Sequence, residues 1–176
     1  SEEEEVRKLL ERLERTVEKT NRDVERSLRE NEKRVRETND EVRRLLEENR
    51  RRIEDVERKL QDEDVLRLLE EVKKHVEEIV RRVSELDRES LEESKELAKR
   101  ASKLDEDTRR LIDRVIEERR SEEAKRLIEE LEKRNREVKK EVEEMSRRIN
   151  KKNEEILREA RKLIEENNKL LKDIER

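Results

Sequence analysis

Apolar residues recur every three or four positions along the chain and form three successive seams. The first seam runs from Val6 to Leu60 in steps of about 3.6 residues, and it includes polar positions such as Thr20 and Asn31. A step of about 3.6 residues is the repeat of a straight α-helix, whereas a left-handed coiled coil keeps about 3.5. The first seam therefore predicts one long, nearly straight amphipathic helix.

Two further seams follow, from Val65 to Val115 and from Ala124 to Ile174, with nearly the same step. Between the seams, Asp62 and Ser121 each place a capping oxygen ahead of an acidic first turn, as helix starts do. The pattern predicts helices over about residues 2–60, 63–119 and 122–175. Because short loops make neighbouring helices antiparallel, we expect an all-α fold, a long antiparallel three-helix bundle in which residues 1–176 form a single domain.

Two sites inside the second seam also resemble helix starts and leave an alternative open. Asp87 with Ser90, and Asp105 with Thr108, combine the acidic and hydroxyl side chains found at helix N-termini. Loops at both sites would give five helices, with breaks near 87 and 105. The seam keeps its phase through both sites, which independent helices need not do, so the sequence favours three helices.

Several seam positions are polar, and folding the chain about its two loops brings them to matching heights. A buried amide or hydroxyl without a partner costs about 1–3 kcal/mol, so isolated polar residues would destabilise a core. Grouped at one height, they can satisfy one another and specify the register of the helices. The expected groups are Thr16 and Thr20 with Thr108 and Asn135; Asn31 with Ser94, Ser146 and Asn150; Thr38 and Asn39 with Asp87 and Ser90; and Asn49 with His75 and Asn167.

The composition is far from that of ordinary proteins, since the chain contains no Gly, Pro, Cys or aromatic residue. Charged residues make up 59% of it, yet 50 Lys and Arg against 54 Asp and Glu leave a net charge of only −4. Low hydrophobicity with high charge is typical of disorder, but the small net charge and the periodic apolar residues favour folded helices. No apolar run exceeds two residues, so we expect no targeting signal or membrane span and a soluble, recombinant cytoplasmic product.

The Gly-free, aromatic-free composition and the Asn, Ser and Thr layers resemble the family of de novo designed helical bundles with buried hydrogen-bond networks. The resemblance covers the whole chain. It implies a designed origin and a role as scaffold, oligomer, heterodimer half or switch, without choosing among them. The exclusion of Gly and Pro even from the loops departs from that family's usual pattern.

Chemistry beyond packing finds little support in the residue types. His75 is the only histidine, and Val72 occupies the position that the Glu-x-x-His pair of a bundle di-metal site requires. We expect His75 to join a polar layer or lie on the surface, with no catalytic, cofactor-binding or metal site and no enzymatic activity. Glu47 and Glu48 interrupt the basic cluster at 43–52, so nucleic acid is not an expected partner. A membrane surface is not expected either, because no helix has a broad apolar face with Trp or Phe.

Two classes of function remain. The first is a structural scaffold that requires no partner and holds a specified helical geometry. The second is an interaction module that forms a homo-oligomer or binds a designed helical partner through a widened apolar stripe. Neighbouring apolar pairs that widen the stripe are Leu9/Leu10, Leu45/Leu46, Leu68/Leu69, Ile79/Val80, Leu111/Ile112, Ile156/Leu157 and Leu170/Leu171.

Overall fold

The computed structural model describes residues 1–118 and 121–175, and of Glu118 it describes the backbone alone. These residues form three α-helices: α1 (Glu2–Lys59), α2 (Glu63–Glu118) and α3 (Ser121–Glu175). The three helices pack against one another, which confirms the predicted all-α three-helix bundle. The predicted end of the second helix at residue 119 lies outside the described residues.

Local electrostatics explain where the helices begin and end. Ser1 Oγ accepts a hydrogen bond from the Glu4 amide at 3.4 Å, and Asp62 Oδ1 accepts one from the Asp64 amide at 2.9 Å, so the predicted cap at Asp62 is confirmed. The first turn of α1 is acidic over residues 2–5 and its last turn carries Arg58 and Lys59. Both placements oppose the helix dipole and stabilise the ends.

The alternative with breaks near 87 and 105 is wrong, because α2 continues through both sites. Thr108 Oγ1 donates to the Leu104 carbonyl oxygen at 2.7 Å, which is the bond of a threonine inside a helix rather than at its start. Asp105 forms an ion pair with Arg109 one turn later at 3.2 Å. Asp105 and Thr108, which suggested a cap, are therefore satisfied within the helix.

The chain divides into two compact units, each containing a stretch of all three helices. Unit 1 comprises Ser1–Asn31 and Leu91–Arg147, and unit 2 comprises Glu32–Ser90 and Arg148–Arg176. The assignment of residues 1–176 to a single domain stays a prediction.

Within unit 1, the cross-helix contacts set the direction of each segment. Arg134 Nη1 lies 2.7 Å from Asp107 Oδ2, and Arg100 pairs with Glu141, so the segments of α2 and α3 run antiparallel. Lys125 Nζ lies 3.3 Å from Glu5 Oε2 at one end of the α1 segment, and Asn31 contacts Ser146 at the other. The α1 and α3 segments therefore run parallel. The core of the unit includes Leu13, Val17, Leu104 and Ile128.

Unit 2 has the same arrangement. Lys152 Nζ lies 2.9 Å from Glu89 Oε2 and Arg82 pairs with Glu159, which makes the α2 and α3 segments antiparallel. Its apolar core has two clusters. One contains Val42, Leu46, Ile79, Val83, Leu86, Ile156, Ala160 and Ile164, and the other contains Ile53, Val56, Leu69, Val72 and Leu171.

Most seam residues are buried as predicted, with two corrections. Leu86 is buried and Asp87 is exposed, so the charged residue predicted for the seam is replaced by its apolar neighbour. Ile164 is buried and Leu163 is only partly so. In both places the helix reaches its next buried position by a step of three or four residues, and the average step of about 3.6 allows either.

Candidate functional site

Burial along α1 follows a repeat of five helical turns. Five turns of an α-helix take about 18 residues at about 3.6 residues per turn, so residues separated by that interval face the same direction. Each five-turn repeat, starting at Val6, Val24 and Val42, places the same five positions in the core; Leu28 alone among these is half-buried. The positions are 6, 10, 13, 17 and 20; 24, 28, 31, 35 and 38; and 42, 46, 49, 53 and 56.

α3 follows the same scheme from Ala124, Val142 and Ala160, and α2 follows it from Val65, Val83 and Ala101. Occasional shifts of one position occur, such as Met145 buried in place of Ser146. Each helix is thus built from three similar segments, each one five-turn repeat long. The apolar pattern alone gives little distinction between one segment and the next.

Buried polar residues supply that distinction. In unit 1, Thr20, Thr108 and Asn135 are buried, one from each helix. The corresponding residues one five-turn repeat away, which is later in α1 and α3 and earlier in α2, are Thr38, Ser90 and Asn153, and all three are buried in unit 2. After one more repeat they are Val56, Val72 and Leu171, which are buried together in an apolar cluster of unit 2. We call these three sets the first, second and third layer.

Cross-helix contacts place the members of a layer at one height. The ion pair Asp107–Arg134 immediately precedes Thr108 and Asn135, and the ion pair Glu89–Lys152 immediately precedes Ser90 and Asn153. The distance between Arg134 Nη1 and Asp107 Oδ2 is 2.7 Å, and that between Lys152 Nζ and Glu89 Oε2 is 2.9 Å. The polar members of α2 and α3 are therefore neighbours across each interface.

The hydrogen bonds of these layers are incomplete over the part of the chain that the structure describes. Thr20 Oγ1 and Asn135 Oδ1 are buried without a hydrogen-bond partner there, and so are both polar atoms of the Asn153 side chain. A hydroxyl can donate to an amide oxygen, so Thr20 and Asn135 have complementary chemistry. Each unpartnered group costs about 1–3 kcal/mol and offsets part of the stability of the core.

A second type of polar contact joins α1 to α3. In unit 2, Asn167 Nδ2 donates to Asn49 Oδ1 at 3.4 Å, and both residues are buried. In unit 1, Asn31 Nδ2 donates to Ser146 Oγ at 3.1 Å, while Ser94 is half-buried. Both contacts agree with the prediction that Asn49 lies at the same height as Asn167, and Asn31 at the same height as Ser146.

One predicted member of these groups, His75, lies elsewhere, and another, Asn150, has a partner outside its predicted group. His75 is exposed, so its expected place in a layer with Asn49 and Asn167 is wrong; it lies on the surface, which was the other expectation for it. Val76, the next residue of α2, packs against the core of unit 2 instead. Asn150 lies in unit 2, where its Oδ1 accepts from Arg34 Nη1 at 2.5 Å.

Exposed ion pairs cover the outer faces of the helices. A hydrogen bond from Arg44 lowers the pKa of the Glu41 carboxyl, and a hydrogen bond from Lys152 lowers the pKa of Glu89. The Glu57 carboxylate raises the pKa of Lys73 by a hydrogen bond, and Glu141 does the same for the pKa of Arg100. Pairs of this kind contribute little to stability because solvent screens them, and they improve solubility.

Among the described residues, no group of three or more His, Asp or Glu is placed to hold a metal ion. Over the same ranges, none of the helices carries an apolar stretch long enough to span a bilayer. No protein-family model, curated protein or solved structure matches this chain.

Sequence reasoning identified the polar seam residues but missed the five-turn repeat that relates them. A signal was present: Thr-Asn occurs at 20–21 and again at 38–39, and in each case the threonine lies one helical turn before a valine, at 24 and 42. Averaging the seam step over a whole helix concealed this recurrence.

Proposed function

We propose that this chain is a de novo structural scaffold with no natural biochemical activity, and that it holds a specified helical geometry through its apolar seams and buried polar layers. One observation carries the proposal. Burial recurs with the five-turn repeat in each helix, while polar residues occupy the first and second layers and apolar residues the third.

The polar layers have a physical role in this proposal. Three similar segments per helix would let the helices slip by one five-turn repeat and still align their apolar positions over two of the three segments. Such a slip would set Thr38 against an apolar layer and leave its hydroxyl among aliphatic side chains, which costs about 1–3 kcal/mol. The polar layers therefore penalise slipped pairings, the role that a single buried asparagine has in coiled coils.

The alternative is an interaction module, and a specific observation favours it as the second candidate. The exposed large apolar residues of the described chain, Leu66, Leu68, Val80, Leu91 and Ile116, all lie on α2. Two of them, Leu68 and Val80, are members of the apolar pairs that widen the seam. Exposed apolar residues along one helix are typical of surfaces that receive a partner helix.

Sedimentation equilibrium from micromolar to sub-millimolar concentration tests the proposal. A scaffold sediments at the mass of one chain, 21.7 kDa, at every concentration. A mass that rises to a defined dimer or higher species, with α2 protected from hydrogen exchange only in the assembled form, would favour the interaction module. Val80→Lys is the matched control, because it should leave a monomer unchanged and disrupt an association through α2.

A further inference from the structure

The chain reverses its direction between α1 and α2 without a residue that breaks helices. The hydrogen bonds of α1 extend to Leu60, whose amide donates to the Val56 carbonyl oxygen at 2.9 Å. Those of α2 begin at Asp62, whose carbonyl oxygen accepts from the Leu66 amide at 3.0 Å. The connection at 60–62 reads Leu-Gln-Asp and contains neither Gly nor Pro, the residues that usually mark the end of a helix. Its residue types therefore give little reason for the first helix to stop.

The apolar seams on the two sides of this connection are out of phase. The nearest buried apolar residues are Ile53 and Val56 on α1 and Leu69 and Val72 on α2, and all four lie in one apolar cluster of unit 2. Successive residues of an α-helix are about 100° apart around its axis. If the helix continued through 60–62, the apolar face of α2 would lie about 160° around the axis from that of α1.

We propose that this phase difference, rather than the residues of the connection, makes the chain turn back and prevents the exchange of α1 with a second copy of the chain. One continuous helix would turn Leu69 and Val72 away from a core that contains Ile53 and Val56. In the hairpin the two apolar faces meet in the same cluster. Burial of apolar surface is the dominant favourable term in folding, so it selects the hairpin.

The geometry of exchange explains why phase controls it. In an exchanged dimer, a continuous helix places α1 in one bundle and α2 in a second bundle stacked end to end with the first. The twofold axis that relates the two copies crosses the connection and puts both cores on the same side of this helix. Exchange therefore requires the seams of α1 and α2 to be in phase, and the native difference of about 160° opposes it.

Insertions between Gln61 and Asp62 separate the phase of the seams from the length of the connection. Two alanines rotate α2 by about 200° and bring the seams into phase, whereas four rotate it by about 400° and leave them about 160° apart. Alanine is the strongest helix former, so neither insertion adds a helix breaker. Lengthening a short hinge normally disfavours exchange. Length alone therefore predicts that both variants are monomers, whereas phase predicts that only the two-alanine variant exchanges α1.

Double electron–electron resonance between spin labels at Glu57→Cys and Lys73→Cys distinguishes these outcomes, because Lys73 Nζ lies 2.6 Å from Glu57 Oε1 across the hairpin. The labelled chain is refolded at sub-millimolar concentration with an excess of unlabelled chain, so that the distances are those within one chain. The native sequence and the four-alanine variant should give a short distance. The two-alanine variant should give about 27 Å, the length of 18 helical residues, and sediment at about twice 21.7 kDa.

The double variant Gln61→Ala with Asp62→Ala tests the residues of the connection themselves. It leaves the phase unchanged, so it should keep the short distance and the mass of one chain even though α2 loses its cap. Exchange in this variant would overturn the proposal. So would a short distance or a loss of helical structure in the two-alanine variant, or equal exchange by both insertions. The labels follow the path of one chain, so these outcomes do not depend on whether folded chains associate through α2.

Discussion

Replacing a buried asparagine by leucine should have opposite consequences at two positions of unit 2. Asn153 and Asn167 are both buried on α3, at 6% and 4% exposure. They differ in their partners: both polar atoms of Asn153 are unpartnered within the described part of the chain, whereas Asn167 donates to Asn49. This pair of sites isolates the effect of a hydrogen bond from that of burial.

The expected magnitudes follow from these contacts. Asn153→Leu removes unpartnered polar groups, which recovers about 1–3 kcal/mol, and it buries apolar surface worth about 1.5–3 kcal/mol. Crowding by the larger side chain costs about 1–3 kcal/mol, so we expect a net stabilisation of about 1–3 kcal/mol. Asn167→Leu gains the same burial and meets the same crowding, but it also leaves Asn49 Oδ1 without its donor at a cost of about 1–3 kcal/mol, so we expect a net destabilisation of about 1–3 kcal/mol.

Guanidinium-induced unfolding followed by far-ultraviolet circular dichroism measures both effects. Asn153→Leu should unfold at a higher midpoint than Asn167→Leu. The double variant Asn49→Leu with Asn167→Leu should have a higher free energy of unfolding than the sum of the two single changes predicts, because no unpaired amide of this pair remains in it. If Asn167→Leu stabilised the chain as much as Asn153→Leu, the hydrogen bond between Asn49 and Asn167 would have no energetic role and the reasoning would fail.

Three further outcomes are expected. Asn31→Leu should stabilise the chain by less than the burial of a leucine suggests, because Ser146 Oγ loses its hydrogen-bond donor. Denaturant unfolding measures this change in stability, with Leu28→Ile as a control for packing. Glu89→Gln should destabilise the chain by a few tenths of a kcal/mol at pH 7, because the pKa of Glu89 is lowered by its pair with Lys152. The pair contributes stability above the unfolded-state pKa of Glu89, and this contribution is lost as the pH falls through the folded-state pKa. A difference between the variant and the native chain that persisted at pH 2 would contradict the assignment. Zinc should not bind tightly and stoichiometrically in a chelator competition, because His75 is an isolated surface imidazole, and binding that His75→Gln abolished would refute this.

The periodic pattern of apolar residues predicted the fold well because burial of one face determines a long helix. The seams predicted where the three helices begin and end to within a residue or two at their described ends. The second seam also kept its period through Asp87 and Asp105, where cap-like residues suggested breaks. At the second of these sites, Thr108 is satisfied locally by its hydrogen bond to the Leu104 carbonyl oxygen, and the spacing of residues along the chain does not reveal this contact.

The polar groups were predicted less completely because matching heights do not guarantee matching directions. His75 lies near the height of Asn49 and Asn167, yet it is about 100° around α2 from Val76, which takes the inward position. Asn153 was in the predicted seam, but its lack of a partner depends on the distances between particular side-chain atoms. Such distances follow from packing rather than from spacing along the chain.

The most direct test of the scaffold proposal measures helix register when the loop cannot impose it. The chain is cut within the connection at 60–62, and spin labels at Glu41→Cys and Arg161→Cys, whose side chains lie 3.9 Å apart in unit 2, report the distance between α1 and α3. A companion variant replaces the nine buried polar residues of the described chain by the aliphatic residues typical of the apolar layer: Thr20, Thr38, Ser90 and Thr108 by Val, and Asn31, Asn49, Asn135, Asn153 and Asn167 by Leu.

Double electron–electron resonance on the reassembled fragments should give one short distance for the native sequence. The companion variant should add a population displaced by about 27 Å, the length of one five-turn repeat. A single short distance in both, or slipped populations in both, would contradict the claim that buried polar layers hold this bundle in one geometry.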